Sequence, residues 1–549
     1  MAREEIKKLI EKAVKHLYKR KIEVKIERPV QMSCGDYATN IAIVLKKNPQ
    51  EIAEIMSEKF KAKSEKLFEK IEVAKPGFIN FFLSKEYLQR QVGEILKQDE
   101  KFGRLKIGKN KKVQVEFISA NPTGQLHTGN GRGAFWGDVL ANVLEKSGFR
   151  VSKEYYINDA KTNTQIKLLG QTAVGEGTTY LNDYLRLKIK SQKAKIRNLI
   201  QKFKNKEEIY AEAGYLLARE IQKDIKEFVE KKLKIKFDNW LKESKLHREN
   251  KIKKIFKWLK KRDLAYSKEG AWWIKTSRFG DSQDWVVIRE TGEPTYFLCD
   301  IAYHKNKIER GFKKIINIWG ADHQGHVRKM KSAIKTLGFK GELDILITQI
   351  VRVKGLKISK RKGKIIPLEG LINEVGLDVA KFFYLTKSLD TQMEFDMGLA
   401  KEQSEKNPVY YIQYAYARIC SILRKCGKSE IRSSLRTPFS SRTSPAPGQA
   451  RYPKSENLKL LNHPSELEFI KQLIRFPEIV EDIAKDYQVQ RLPQYAIDLA
   501  AAFHRFYRDC KVLTEVRPLL EARLALVLVS QTVLKKTLDL MGISAPEKM

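Results

Sequence analysis

The chain has 549 residues, with 106 Lys and Arg against 66 Asp and Glu, a formal charge of +40. That excess repels itself unless a polyanion answers it, so nucleic acid is the natural partner, with a merely lysine-rich solvated surface as the bland alternative. Five cysteines, an odd number with no CxxC pair, argue against a disulfide framework and against zinc-finger spacing, and fit a reducing compartment.

At 42% hydrophobic residues the chain can bury ordinary cores, enough for about three domains. The start, MAREEIKKLIEKAVKHL, reads as a charged amphipathic helix and not as a signal peptide, and no apolar run reaches membrane-spanning length. A soluble, cytoplasmic protein is expected. Residues 1–105 predict an α+β domain: an opening helix, strands Ile22–Ile26 and Phe78–Phe82, and helices Pro49–Phe60 and Tyr87–Gln98. Gly103 and the basic stretch Lys106–Lys112 read as a linker.

Residues 106–395 alternate strand and helix: strand Val113–Phe117, helix Gly133–Ser147, strand Val151–Ile157. This order predicts a parallel sheet with crossover helices. A helical, lysine-rich insertion over about 165–262 interrupts it, and the sheet pattern resumes at Trp272–Lys275, Trp285–Arg289, Ile315–Trp319 and Asp344–Thr348. Residues 396–549 are helical, with stripes Leu499, Phe503, Phe506, Cys510 and Leu524, Val527, Leu534, Leu538 at helix period. The Ser-, Pro- and Arg-rich stretch 436–455 predicts a mobile surface loop.

Two segments carry chemistry. SANPTGQLHTGN (119–130) follows strand Val113–Phe117 and leads into a helix. In a parallel sheet, ligands bind at the carboxyl ends of strands and phosphates at helix N-termini. Glycine there allows close backbone approach, while His127, Asn130 and Arg132 offer donors and charge to a phosphate. Read alone, HxGN is a glycine-rich structural turn with a stray histidine. KISKRKG (357–363) crowds cations between Gly355 and Gly363, and read alone it is a solvated basic turn. Adenylate formation needs no proton transfer but does need alignment and compensation of developing negative charge, which lysines on such a loop can supply.

ANPTGQLHTGNGRGAFWGDVLANVLEKSGF followed by EYYINDA, together with KISKR, resembles the arginyl-tRNA synthetases, which are class I aminoacyl-tRNA synthetases. The family motif usually ends in a second histidine; Asn130 stands there, keeps a neutral donor and cannot become cationic. The resemblance implies a Rossmann-like parallel-sheet catalytic domain, an N-terminal α+β tRNA-binding domain and a C-terminal all-α anticodon-binding bundle. It implies that His127, Asn130, Lys357 and Lys360 carry the chemistry. Pro122, Thr123, Gly124, Gly129, Gly320, Asp322, His323 and Ser359 would hold ATP, which enters with Mg2+.

FDNWLKES, EPTYFLCDIAYH and WGADHQGH carry the arginine-binding resemblance. By it, Glu243 and Asp300 pair with the guanidinium beside Tyr296, while Ser119, Asn121 and Gln324 hold the amino-acid head. Glu243, in a lysine-rich segment, is equally read as an exposed residue. SCGDYATNIAIVLKKNP and AKPGFINFFL place Phe78 and Asn80 against the corner of tRNA(Arg); EKNPVYYIQYAYARICSIL and GISAPEKM place Tyr414, Tyr507 and Met549 near its anticodon. No zinc or other protein metal site is expected, and a monomer is. The family generally requires tRNA before the first step. Rivals are a cysteinyl enzyme, which would need a Cys/His zinc site, a catalytically dead paralogue and a general basic RNA-binding protein.

Overall fold

The computed structural model describes the chain except residues 30, 46–47, 62–65, 355–365, 427–454 and 515. The opening helix, Ala2–Tyr18, buries Ile6, Ile10, Ala13 and Val14, one stripe at helical spacing. Beside it, β1 (Tyr37–Thr39), β2 (Phe68–Ala74) and β3 (Phe78–Leu83) form an antiparallel sheet in the order β1-β3-β2. Alternation along β3 sends Ile79, Phe81 and Leu83 into the core. The expected strand Ile22–Ile26 does not form. Val24 is buried, but that segment meets the sheet through one bridge between Glu27 and Ala38 and the Thr39 hydroxyl donating to the Lys25 carbonyl, which is not a strand.

The central sheet is parallel throughout. It comprises β4 (Lys112–Glu116), β5 (Arg150–Ile157), β6 (Asn239–Lys242), β10 (Lys314–Gly320) and β11 (Glu342–Thr348), in the order β11-β10-β4-β5-β6. Two readings from sequence are corrected here. The stretch 165–262 is not wholly helical, since β6 returns from it to the sheet edge. The segments around 272–275 and 285–289 do not join the parallel sheet. With β7 (Ala265–Lys268) they form a separate antiparallel sheet, as β8 (Ala271–Ile274) and β9 (Trp285–Ile288). A period of two specifies a strand, not its sheet. A parallel pair, β12 (Val351–Lys354) with β13 (Met393–Asp396), follows.

The helix after β4 runs Thr128–Lys146, beginning five residues before the expected Gly133. It is buried on nearly all sides, between the sheet and the helices Leu377–Leu385, Phe476–Asp486 and Arg517–Met541. Gly137 makes this possible, since a Cβ there would lie 2.2 Å from the Phe117 ring. The last third of the chain is helical, and Leu499, Phe503, Phe506, Cys510, Leu524, Val527, Leu534 and Leu538 are all core residues. The N-terminal layer docks on these helices through charge as well as packing: Arg3 pairs with Glu481 and Asp482, and Arg28 and the Tyr37 hydroxyl both reach Glu478. Among the described residues no helix is long and apolar enough to cross a membrane.

Candidate active site

The sheet changes direction at β4. The chain proceeds from β4 outward through β5 and β6 on one side, and β10 and β11 lie on the other. A crevice therefore opens at the carboxyl ends of β4 and β10, the usual ligand position in such sheets. The loop leaving β4 lines it. Ile118 and Ser119 take positive φ, 67° and 37°, which turns the chain sharply at the strand end. The loop is pinned to β5 and its exit: Ser119 Oγ donates to Glu116 Oε1 at 3.0 Å and accepts from Tyr156 N, the Tyr155 hydroxyl donates to the Ala120 carbonyl, and Asn158 Nδ2 donates to Asn121 Oδ1 at 2.7 Å.

His127 is the N-cap of the helix Thr128–Lys146. Its Nδ1 accepts from Gly129 N at 3.1 Å, and Asn130 Oδ1 accepts from His127 N at 2.9 Å, a reciprocal capping box. Because Nδ1 is an acceptor, the neutral ring carries its proton on Nε2, leaving that N–H as a donor. Burial holds His127 below its ordinary pKa, against the opposing pull of Asp322. Gly129 must remain glycine for the imidazole to sit there, since a Cβ would come within 2.9 Å of it. The Asn130 amide oxygen is thus spent on the cap, a role not foreseen from its place in the motif. Pro122 is buried in this loop, Thr123 donates its N–H to the Asn121 carbonyl at 2.8 Å, and a Cβ at Gly124 would meet nothing.

Opposite, β10 ends in Gly320 and a short turn carrying Asp322, His323 and Gln324, all three exposed. Asp322 and His323 lie 3.4 Å apart at this turn.

A second cluster of side chains, acidic and aromatic, lies beyond β5. Glu243 follows β6 directly and is 3% exposed, so the reading of it as a surface residue is overturned. Asp159, at the end of β5, fixes it by accepting from Ser244 N at 2.9 Å and from Ser244 Oγ at 2.8 Å. Asp300 approaches from the helix Tyr296–Glu309; burial, then Glu243 and Glu116, raise its pKa to about 7. Among the described residues, Glu243 Oε2 and the Tyr156 hydroxyl are buried without a hydrogen-bond partner. Tyr296, one turn before Asp300, is exposed, and its hydroxyl is tied to Thr164, donating to Oγ1 and accepting from the N–H, both at 2.8 Å.

The helix Tyr296–Glu309 is held by charges that no motif announced. Glu116 and Glu154 are register neighbours on β4 and β5 and are both buried. Lys307 Nζ, fully buried, sits 2.5 Å from Glu116 Oε2, while Arg310 binds both oxygens of Glu154. Burial pushes Glu154 up, but Arg310, Lys307 and Asn239 outweigh it and hold the carboxylate below its ordinary value. His304, buried beside Lys307 and pushed down to about 3, is neutral; its Nδ1–H donates to the Asp300 carbonyl and its Nε2 accepts from Asn317.

The cysteines contribute something their spacing hid. His247 Nε2 lies 3.9 Å from both Cys299 Sγ and Glu243 Oε1, bringing together a set of possible metal ligands that the sequence did not lead one to expect. Lys357, Ser359 and Lys360 lie outside the described residues, as does the stretch 436–455 apart from Ser455.

Away from the sheet, Phe78 is 37% exposed on β3, while Asn80, on the same face, is only 7% exposed. Tyr414 and Tyr507 are exposed on neighbouring helices with Arg418 between them: it donates to both hydroxyls and lies about 5 Å from both ring centroids. His504 stacks near Tyr414, and Met549 is exposed. Arg418 and His504 were missed from sequence, although both lie on the same helices as the tyrosines that were singled out.

A parallel sheet whose switch-point crevice meets a glycine-rich helix N-terminus is a Rossmann-like nucleotide-binding arrangement, and the model of the class I (R) tRNA synthetase catalytic domain matches residues 91–392, which makes this domain that of a class I aminoacyl-tRNA synthetase. Models of the arginyl tRNA synthetase N-terminal domain and the DALR anticodon binding domain match residues 4–83 and 412–549. The chain is 40% identical over 544 residues to the arginine–tRNA ligase of Carboxydothermus hydrogenoformans, covering 95% of this chain and 94% of that one. It is 39% identical over 581 residues to that of Caldanaerobacter subterraneus subsp. tengcongensis, covering 100% and 99%. The Thermus thermophilus arginyl-tRNA synthetase structure shares the fold with a TM-score of 0.77 at 22% identity, covering 100% of both chains. The chain belongs to the arginyl-tRNA synthetase family.

Proposed function

We propose that the two pockets at the strand ends divide the work of an arginine–tRNA ligase. The carboxylate of arginine attacks the α-phosphate of ATP, diphosphate leaves, and the terminal ribose of tRNA(Arg) then displaces AMP from the arginyl-adenylate. The observation that carries the arginine assignment is the Glu243–Asp300 pocket: two carboxylates, one with a buried oxygen lacking a partner, beside the buried Tyr156 hydroxyl. A guanidinium is the planar cation that satisfies such acceptors. Tyr296 closes that side, while Ser119, Asn121 and Gln324 hold the amino-acid head.

The crevice between β4 and β10 takes ATP. The His127 Nε2–H faces the phosphates, the Gly129 N–H holds the imidazole in that tautomer while Asn130 braces the His127 backbone through the cap, and Pro122, Thr123, Gly124, Gly129, Gly320, Asp322 and His323 line the nucleotide. Mg2+ enters with ATP as part of that substrate. Lys357, Ser359 and Lys360 compensate the charge of the departing diphosphate. Phe78 with Asn80 meets the corner of tRNA(Arg), and Tyr414, Tyr507 and Met549 meet its anticodon, where unpaired bases stack on aromatic rings. The enzyme acts as a cytoplasmic monomer and needs bound tRNA before the first step.

The test is aminoacylation of total tRNA with each of the twenty labelled amino acids. Charging with arginine alone is expected; tRNA binding with no charging would favour the dead paralogue. Lys360→Ala should slow adenylation and leave tRNA affinity nearly intact.

A further inference from the structure

We propose that Glu243, His247 and Cys299 form a binding site for a zinc-class divalent cation in the wall of the arginine pocket, and that such a cation inhibits the enzyme by competing with arginine. One ligand atom from each of the three residues lies within 4.8 Å of the others. Glu243 opens the helix Glu243–Arg248, and His247 is one turn further on the same face. Cys299 reaches them from the helix Tyr296–Glu309.

The donor set is one thiol, one imidazole and one carboxylate. That mixture suits zinc and its neighbours, not magnesium or calcium, which favour oxygen alone. Bonds to zinc of about 2.0–2.3 Å place tetrahedral ligands roughly 3.3–3.8 Å apart. The observed 3.9 Å separations from His247 to both partners are therefore near closure. His247 is the half-buried member and can adjust, whereas Glu243 and Cys299 are fixed in the core.

The oxygen that the arginine reading gives to a guanidinium is equally open to a metal ion. Glu243 Oε2 is buried and has no hydrogen-bond partner among the described residues, so the site already holds a carboxylate in need of a cation. Without one, burial and the neighbouring Glu243 keep the Cys299 thiol protonated. Binding replaces that proton: the S–H bond breaks, a sulfur–metal bond forms and the proton leaves to solvent. Three protein ligands leave a fourth position for water.

The competition rests on the arginine reading above, because a guanidinium and a divalent cation cannot share Glu243; the metal site itself does not. The experiment uses the full-length enzyme. Cobalt(II) is titrated first, and a thiolate-to-cobalt charge-transfer band is expected that disappears in both C299S and H247A, with circular dichroism confirming that both are folded. Zinc(II) is then added to tRNA-dependent ATP–diphosphate exchange. It should raise the arginine KM at least tenfold and leave the ATP KM unchanged, and C299S should need at least tenfold more zinc for the same effect. Absence of the band, or its persistence in C299S, overturns the site. A band accompanied by an unchanged arginine KM overturns the competition and counts against Glu243 as a guanidinium partner. If E243Q raises the arginine KM while the wild-type enzyme shows no band, the metal site falls and the arginine assignment stands.

Discussion

Asp159 holds Ser244 twice, through its backbone N–H and its hydroxyl, and so fixes the residue that follows Glu243. The two residues belong to the exits of neighbouring parallel strands, β5 and β6, and the contact sets where the buried carboxylate points. Asp159→Ala removes two hydrogen bonds to an acceptor that carries charge, each worth about 1.5–3 kcal/mol. The expected result is a rise of roughly tenfold or more in the arginine KM with little change for ATP. Exchange kinetics with each substrate varied in turn checks it, and equal changes in both would remove Asp159 from the arginine pocket.

Asp300 should make arginine binding depend on pH near neutrality. Its pKa of about 7 in the fold exceeds the ordinary carboxyl value, so its contribution to stability is present at low pH and is lost as pH rises through about 7. The charged form, however, is the one that pairs with a guanidinium. Arginine affinity should therefore fall as pH drops from about 8 to about 6, while the ligand-free fold only begins to shed its Asp300 penalty below about pH 7 and sheds the rest on the way down to the ordinary carboxyl range. Asp300→Asn should raise stability at about pH 8 by about 1–3 kcal/mol, at about 1.4 kcal/mol per pKa unit, and raise the arginine KM far more than the ATP KM. Thermal melting and exchange kinetics at both pH values decide this; a variant less stable than wild type at the higher pH would contradict it.

Lys307 and Glu116 form a pair wholly inside the protein. Lys307→Met leaves Glu116 buried without its cation and should cost about 3–5 kcal/mol, whereas Lys307→Met with Glu116→Leu should recover much of that loss. Denaturant unfolding of the two variants measures the difference. If the double variant is no more stable than the single one, the pair is not the source of the cost.

Asn130 acts through the cap of its helix. Asn130→Ala should lower stability by about 1 kcal/mol, the usual cost of a lost cap contact, and should slow adenylation because the His127 backbone N–H is no longer braced at the helix start, although the Gly129 N–H still faces the ring. Asn130→Asp keeps the acceptor, so it should restore the stability but not the rate, since it places a negative charge beside the phosphates. Melting temperature and single-turnover adenylation separate the two effects.

Arg418 ties Tyr414 to Tyr507. Arg418→Ala should weaken tRNA binding at least about tenfold, with stacking worth about 1–3 kcal/mol per base, and leave the arginine and ATP KM values as they were. A filter-binding titration against tRNA and an exchange assay check the two halves of that statement.

The sequence by itself determined much of this protein. Helical stripes such as Leu499, Phe503 and Phe506, and the strand before SANPTGQLHTGN, are local patterns, and a local pattern states which face of an element meets an apolar layer. The glycines of the first motif were legible for the same reason, since backbone approach is a property of the residue itself. What a pattern cannot state is which layer an element meets. Only the tertiary structure decided that Trp272–Lys275 belongs to an antiparallel sheet, that β6 emerges from a lysine-rich insertion, and that Glu243 is consequently buried. Likewise, Lys307 and Glu116, and Cys299 with His247, lie far apart in the chain, and their meeting depends on crossover connections that bring strand ends and one helix together. Charges and ligands buried at such junctions are chosen by their neighbours in space, so no spacing along the chain records them.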